Sequence, residues 1–308
     1  MVIVIAGATA TGKTDLAESL AGRLQGEVVC ADARQVFREL DIGTGKPSRR
    51  VRASRPHHLF DWRSLGEGTS AGAWARAAAE RCVLGWEAGA IPILVGGSGL
   101  YLRALIDGLH GEPGRDEGVR SRLEAEVEAG GLAPLRERLR QTDPVTGERL
   151  SAGDRQRIVR ALEVFEVTGR RLSEWNADPR KPILTADFRV LELTASVASL
   201  AGRIESRTRW MFENGLLDET RAIRSSGGEE ALRRLRAIGY DEAMALQDGR
   251  LDEVAARAAT DLRTRQLAKR QRTWFRHQLQ AERLDTDAVP AGEWLELALR
   301  MLRLEPGV

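Results

Sequence analysis

At 308 residues, with 42% hydrophobic and 30% charged side chains, the chain has the make-up of a soluble globular protein, either one large domain or two smaller ones. No run approaches the roughly 18 apolar residues of a membrane span, and two distant cysteines, Cys30 and Cys82, exclude a disulfide scaffold or zinc site and place the chain in a reducing cytoplasm. The net charge of +2 hides an uneven distribution: Arg257 to Arg283 holds eight Lys or Arg against two acids, which points to a polyanionic partner.

In chain order, "VIVIA" (2–6) reads as a buried strand. It has no basic flank, so it is not a signal peptide. "GATATGKT" (7–14) follows and satisfies GxxxxGK[ST] through Gly7, Gly12, Lys13 and Thr14, between a strand and a helix over 13–25. Its glycines let backbone N–H groups turn around phosphate oxygens at the positive helix end. Lys13 adds charge, and Thr14 a hydroxyl for Mg²⁺.

"GEVVCAD" (26–32) is a second strand, with Asp32 at the mouth of a parallel sheet. On residue chemistry alone Asp32 is a catalytic carboxylate, a Mg²⁺ ligand or a helix cap. "GTGKP" (43–47) lacks a preceding strand and carries proline where a helix would start, so it is a loop. His57 and His58, without carboxylate or thiol companions, read as structural. A helix over 70–89 and a strand over 90–97 lead to Ser98, a hydroxyl at a strand end or a capping serine.

From about 113 to 186 only helical patterns occur. In one of them Ile158, Leu162 and Phe165 form an apolar stripe, and Gln156, Arg157 and Arg160 face elsewhere, as a solvated face or an anion contact. "FRVLELT" (188–194) returns to the sheet. From Ser199 onward the chain reads as helical, with a flexible loop at 225–230 and a basic segment, 264–278, whose Trp274 and Phe275 turn to the core. The resulting fold class is α/β: a P-loop three-layer core with a parallel sheet, formed by 1–112 and 188–308, plus an all-helical insertion at 113–187.

The ordered strings "GATATGKT", "DARQVFRELDIGTGKP", "PHHLFD", "PILVGGSGLYLRAL", "DRQRIVRALEVFEVTGRRLS", "RIESRTRWMFENGLLDE", "AIGY" and "TRQLAKRQRTWFR" resemble the bacterial tRNA dimethylallyltransferase family over nearly the whole chain. The resemblance implies that the loop grips the diphosphate of dimethylallyl diphosphate through Gly7, Ala8, Thr9, Ala10, Thr11, Gly12, Lys13 and Thr14. The acceptor would be N6 of the adenosine 3′ of the anticodon, flipped out of its stack.

The resemblance makes Asp32 the general base and places Ser98, where the family usually has threonine, near donor and acceptor. It puts Arg207 near the diphosphate and Mg²⁺ on Thr14. Contacts to the tRNA anticodon stem-loop would come from Asp32, Ala33, Arg34, Gln35, Ser98, Arg120, Gln156, Arg157, Ile158, Val159, Arg160, Lys269 and Arg272. A monomer is expected. The chain departs from the family's usual residues at Ala8 (proline), Ala33 (serine), Phe37 (tyrosine) and Gly45 (alanine). Two alternatives share the phosphate loop: a nucleoside or nucleotide kinase, and a non-catalytic RNA-binding NTPase. The first needs an arginine-bearing lid, and the second leaves Asp32 without a task.

Overall fold

The computed structural model describes residues 1–111 and 113–304. Glu112, where the first core segment is expected to end, and residues 305–308 lie outside the described residues. The chain divides into two compact units, one of Met1–Ile106 with Ile183–Val308 and one of Asp107–Pro182. The helical unit therefore begins and ends somewhat earlier than the 113–187 expected from the sequence.

The first unit is built on six parallel strands, β1 (Val2–Gly7), β2 (Glu27–Cys30), β3 (His57–His58), β4 (Pro92–Gly96), β5 (Phe188–Thr194) and β6 (Glu282–Asp285), in the order β3-β2-β4-β1-β5-β6. Every residue of β1 is buried, so both faces of the central strand are covered. That is why it reads as an unbroken apolar run rather than an alternating one. The edge strands β3 and β6 correct the expectation from sequence, which had no strand after 194 and none at 57–58. In β6 only Leu284 is buried. Its pairing with β5, from Leu191–Glu282 to Thr194–Asp285, makes it a strand where its own pattern does not.

Parallel strands need crossovers, supplied first by α1 (Lys13–Leu24), α2 (Arg49–Arg52), α3 (Ala71–Glu87) and α4 (Gly99–Ile106). The Ser70 hydroxyl accepts the Ala73 N–H and caps α3. Trp74 of α3 is fully buried, donates its indole N–H to the Cys30 carbonyl (2.7 Å) and stacks on Tyr101 at 4.8 Å between centroids. The end of β2 is thereby fixed just before Asp32.

The second unit contains α5 (Glu117–Gly130), α6 (Ala133–Thr142), α7 (Pro144–Arg149), α8 (Arg155–Thr168) and α9 (Leu172–Ala177). Asp116, Asp143 and Asp154 cap α5, α7 and α8 through side-chain oxygens. Leu123, Leu135, Leu139, Ile158, Val159 and Leu162 form its core. Among the described residues it holds no strand, only a single bridged pair, Leu109–Lys181.

Back in the first unit follow α10 (Val197–Glu213), α11 (Leu216–Ser225), α12 (Glu229–Leu235), α13 (Tyr240–Gln247), α14 (Glu253–Gln278) and α15 (Trp294–Met301). The loop expected at 225–230 is only a turn, because α12 begins at Glu229. Phe275 is fully buried, and Trp274 meets it edge-on at 5.3 Å.

The loop after β2 is pinned by a buried ammonium. Lys46 Nζ donates to the Phe37 carbonyl (2.7 Å) and to Asp61 Oδ1 (2.6 Å), and lies 2.9 Å from Asp41 Oδ1. Its side chain is fully buried, and Arg52 holds the other oxygen of Asp61. Burial alone would push the Asp61 carboxyl up. The hydrogen bonds from Arg52 and Lys46 win and hold it below the usual carboxylate range.

Replacing Asp61 by Asn keeps the shape and leaves Lys46 short of one counter-charge. The loss of a fully buried partner costs roughly 3–5 kcal/mol. Asp61 is 37% exposed, so the expected cost at pH 7 is about 2 kcal/mol, measured by urea denaturation. A carboxyl whose folded pKa is depressed contributes stability above its unfolded value of about 3.9, lost as pH falls through the folded one. The difference between the two proteins should therefore vanish in acid. A variant as stable as the parent at pH 7 would show the cluster to be idle.

Candidate active site

A cavity of about 840 Å³ opens in the first unit at the carboxyl ends of β1, β2 and β4. This is where ligands of open parallel sheets bind. The phosphate loop, residues 32–35, residues 43–45 and residues 95–101 line it, with side chains from α10 and α14.

The loop between β1 and α1 has its two glycines at φ 145° and 86°. A β-carbon on Gly12 would lie 2.6 Å from the Trp294 ring, so the position is closed to side chains by space as well as by angle. Gly12 caps α1 without a side-chain hydrogen bond. The first N–H groups of the helix are thus left for an anion. Thr11 Oγ1 donates to the Ala8 carbonyl at 2.9 Å, and Lys13 Nζ donates to the same oxygen. Ala8 is buried against Ala195, Leu200, Ile204 and Ala268.

Burial draws the Lys13 ammonium down to about pKa 8, and the neighbouring Arg207 adds to the shift while Asp32 opposes it. Thr14 lines the cavity beside Lys13. Among the described residues no group of three His, Cys, Asp or Glu could hold a metal by itself. A hydroxyl facing a phosphate site does suit Mg²⁺, which takes one or two protein oxygens and completes its shell with phosphate and water.

Asp32 follows β2 directly. The N–H groups of Arg34 (2.8 Å) and Gln35 (3.3 Å) both donate to its Oδ1. No hydrogen bond from a described residue falls on Oδ2, and Asp32 lines the cavity. Ser98 Oγ accepts the Ala33 N–H at 2.8 Å, which ties the end of β4 to the residue after Asp32. The Ser98 O–H keeps its proton free to donate. Gln35 donates to the Thr44 and Gly45 carbonyls at 3.1 and 3.3 Å. Arg34 donates to the Leu235 carbonyl at 3.0 Å, and burial lowers its pKa.

Arg207, on α10, reaches across the cavity. It donates to Thr9 Oγ1 (3.0 Å) and the Thr44 carbonyl (2.6 Å). Burial lowers its pKa, with Asp32 pulling the other way. Gly45, at φ 60°, gives it room, since a β-carbon there would stand 2.2 Å from the guanidinium. Below this loop the Glu219 carboxylate accepts the N–H groups of Asp41 (3.1 Å) and Ile42 (2.8 Å) and the Tyr240 hydroxyl.

Helix α14 presents two stripes. Thr260, Thr264, Leu267 and Gln271 face the cavity. Arg265, Lys269, Arg272 and Arg276, five residues further on in each case, lie about 140° around the helix. Of these, Arg265, Lys269 and Arg276 are exposed and Arg272 is half-buried; none has an ion pair among the described residues. Arg257, Arg263 and Arg283 of the same basic segment are instead paired, with Glu213 and Glu253, with Asp241 and Glu242, and with Glu192.

Sequence reasoning missed three contributors: Arg263 and Arg270, which line the cavity, and Gln271, which hydrogen-bonds to two of its loops. Gln271 sits within the basic segment, and its helical spacing with Thr260 and Thr264 was the available signal.

Arg120, Gln156, Arg157, Ile158, Val159 and Arg160 belong to the helical unit. Gln156 and Arg157 are exposed on the first turn of α8. Ile158 and Val159 are 0% exposed in the core of that unit, so their side chains are withdrawn from the set facing RNA. Arg120 and Arg160 both face the fully buried Glu163 carboxylate, at 3.7 and 3.0 Å, and Arg160 also donates to the Pro113 carbonyl at 2.7 Å.

The sequence model described as IPP transferase matches residues 35–278. The chain is 43% identical over 288 residues to the tRNA dimethylallyltransferase of Halorhodospira halophila, covering 93% of each chain. It is 40% identical over 294 residues to that of Geobacter sulfurreducens, covering 96% of this chain and 91% of the other. The tRNA isopentenylpyrophosphate transferase of Bacillus halodurans superposes with a TM-score of 0.69 at 32% identity, over 98% and 96% of the two chains. A eukaryotic dimethylallyltransferase acting on tRNA superposes with a TM-score of 0.75 at 26% identity, over 95% of this chain and 75% of that one. With a phosphate loop, a carboxylate and an arginine converging on one cavity of the matching fold, the chain belongs to the IPP transferase family of tRNA dimethylallyltransferases.

Proposed function

We propose that the chain transfers a dimethylallyl group from dimethylallyl diphosphate to N6 of the adenosine at tRNA position 37, 3′ of the anticodon, releasing diphosphate. It is a prenyltransferase acting on tRNA, and we place it in the cytoplasm as a monomer. The observation that carries the finer reading is that Asp32, Lys13 and Arg207 line one cavity. A kinase or an RNA-binding NTPase loses its ground with the family.

The exocyclic amine of adenine is a poor nucleophile. The new N6–C1 bond forms as the C1–O bond to diphosphate breaks, and the N6 proton passes to Asp32. Extrusion of the base is required for its amine to reach a cavity in the first unit. Lys13, Arg207 and the loop N–H groups stabilise the leaving diphosphate, whose charge grows in the transition state. Mg²⁺, held by Thr14, would supply further positive charge to the same group. Ser98 holds the 33–35 turn and offers its proton to the acceptor. Gln156 and Arg157, with the exposed stripe of α14, meet RNA phosphates.

Mass spectrometry of nucleosides from tRNA incubated with protein and donor tests the reading directly. Dimethylallyl diphosphate should also raise the melting temperature where ATP does not.

Three further outcomes are expected. Asp32→Ala should bind both substrates and lose at least about 100-fold in kcat, the usual weight of a general base. Normal turnover would remove Asp32 from the chemistry.

Donor affinity should depend on the Lys13 proton. An anion binds the ammonium form, which the free protein loses as pH rises through about 8. Affinity should be level near neutrality and weaken above pH 8, by at most tenfold per unit. Calorimetric titrations from pH 6.5 to 9.5 measure this, and a flat wild-type profile would contradict it. Lys13→Met should bind weakly and without the pH dependence.

The double change Lys269→Gln and Arg272→Gln should weaken tRNA binding and flatten the log–log salt slope by roughly one to two units. Donor binding should be unchanged. Wild-type affinity with a wild-type slope would make that face merely solvated.

A further inference from the structure

Gln271 is half-buried on the inner stripe of α14, and both ends of its amide are engaged by loops far away in sequence. Its Oε1 accepts the Thr9 N–H at 2.9 Å, in the phosphate loop. Its Nε2 donates to the Gly97 carbonyl at 2.9 Å, at the end of β4. The fit on that side is close: a β-carbon on Gly97 would lie 2.3 Å from Nε2.

The residue after Gly97 is Ser98, which accepts the Ala33 N–H, and Ala33 follows Asp32. A continuous path therefore runs from Thr9 through Gln271, Gly97, Ser98 and Ala33 to Asp32. One end of it belongs to the loop that would hold the leaving group, and the other to the carboxylate that would take the proton.

Neither loop can fix this spacing alone. They cap different strands, β1 and β4, with β2 on the far side of β4. Strand pairing sets the register of the sheet but not the height of the loops above it. An amide with one donor end and one acceptor end bridges an N–H and a C=O in a single orientation, which a charged or apolar side chain cannot do. The Thr9 N–H is also occupied by this contact, so its partner is protein.

We infer that Gln271 is a positioning residue. It sets the distance between the phosphate loop and the Asp32–Ser98 turn, and so aligns donor and acceptor for in-line attack. The inference rests on the transfer reaction proposed above. Misplacement of reacting groups by about 1 Å costs up to about a hundredfold in rate without a comparable loss of binding. Gln271 acts in this way on the chemical step, not as a ligand of the diphosphate.

The test compares the full-length wild type with Gln271→Leu, which keeps volume and loses both hydrogen bonds, and with Gln271→Glu, which can accept from Thr9 but cannot donate to Gly97 when ionised. Single-turnover transfer to tRNA and donor affinity are measured for each, with melting temperature as a check on folding. The transfer step should slow about tenfold to a hundredfold in Gln271→Leu and less in Gln271→Glu, with donor affinity within about threefold of wild type in both.

Ser98→Ala supplies the second arm. Because both residues belong to one path, the double variant Gln271→Leu with Ser98→Ala should be clearly less impaired than the product of the single effects. Multiplicative effects, or a loss confined to donor affinity, would overturn the inference. So would a wild-type rate in Gln271→Leu. If Gln271→Leu fails to fold, the cycle is run with Gln271→Glu and Ser98→Ala, and the same outcomes support or overturn it. A wild-type protein that makes no prenylated adenosine would instead sink the proposed function and not this inference alone.

Discussion

In the proposed transfer a departing diphosphate gathers negative charge in a place sheltered from water, so positive charge must be waiting there before the substrate arrives. Most of the site follows from that constraint. The cost is visible in Lys13, whose ammonium is drawn down to about pKa 8 by burial. Arg207 and Arg34 are also shifted down by burial, but a guanidinium begins so high that it stays charged. Arg207 and Arg34 thus stay charged at the cavity, while Lys13 titrates at about 8.

How these cations are held separates them from the rest of the protein's basic residues. Lys13 rests on the Ala8 carbonyl, Arg207 on the Thr44 carbonyl and Thr9 hydroxyl, and Arg34 on the Leu235 carbonyl. Each partner is neutral. A neutral acceptor orients a cation without cancelling it, so an incoming phosphate meets full charge. Several other arginines are neutralised: Arg263, at the wall of the cavity, by Asp241 and Glu242, Arg224 by Glu229 and Asp248, Arg155 by Glu124 and Glu128. Lys46 lies between Asp41 and Asp61 and is therefore a clamp on the loop, not a binder of anions.

This distinction also marks what the sequence could and could not disclose. The strand over 2–6 was legible because burial on both faces leaves an apolar run, and the phosphate loop because its spacing is dictated by backbone geometry. Strands β3 and β6 were not, being defined by neighbours rather than by their own residues. Arg120 and Arg160 read as an RNA-facing set, yet Glu163, three residues beyond Arg160 on the same helix, is buried and draws both inward. For Arg160 the i,i+3 spacing already offered the pair, but for Arg120 the carboxylate comes from another helix, which a one-dimensional pattern does not show. Ile158 was already on the apolar stripe, and its burial agrees with the period rather than with the motif that carried it into the RNA set.

Gly45 bears directly on a cation of the site. With alanine a β-carbon would occupy the place where the Arg207 guanidinium lies, and φ 60° would be strained as well. Glycine removes both obstacles and lets Arg207 settle on the Thr44 carbonyl at 2.6 Å. The other arm of the same guanidinium holds Thr9 in the phosphate loop. Arg207 therefore spans the two loops, and glycine at 45 determines how near the second loop it can rest. Glycine at 45 therefore acts on the resting place of one cation, Arg207, and makes no contact with Lys13, Thr14 or Asp32.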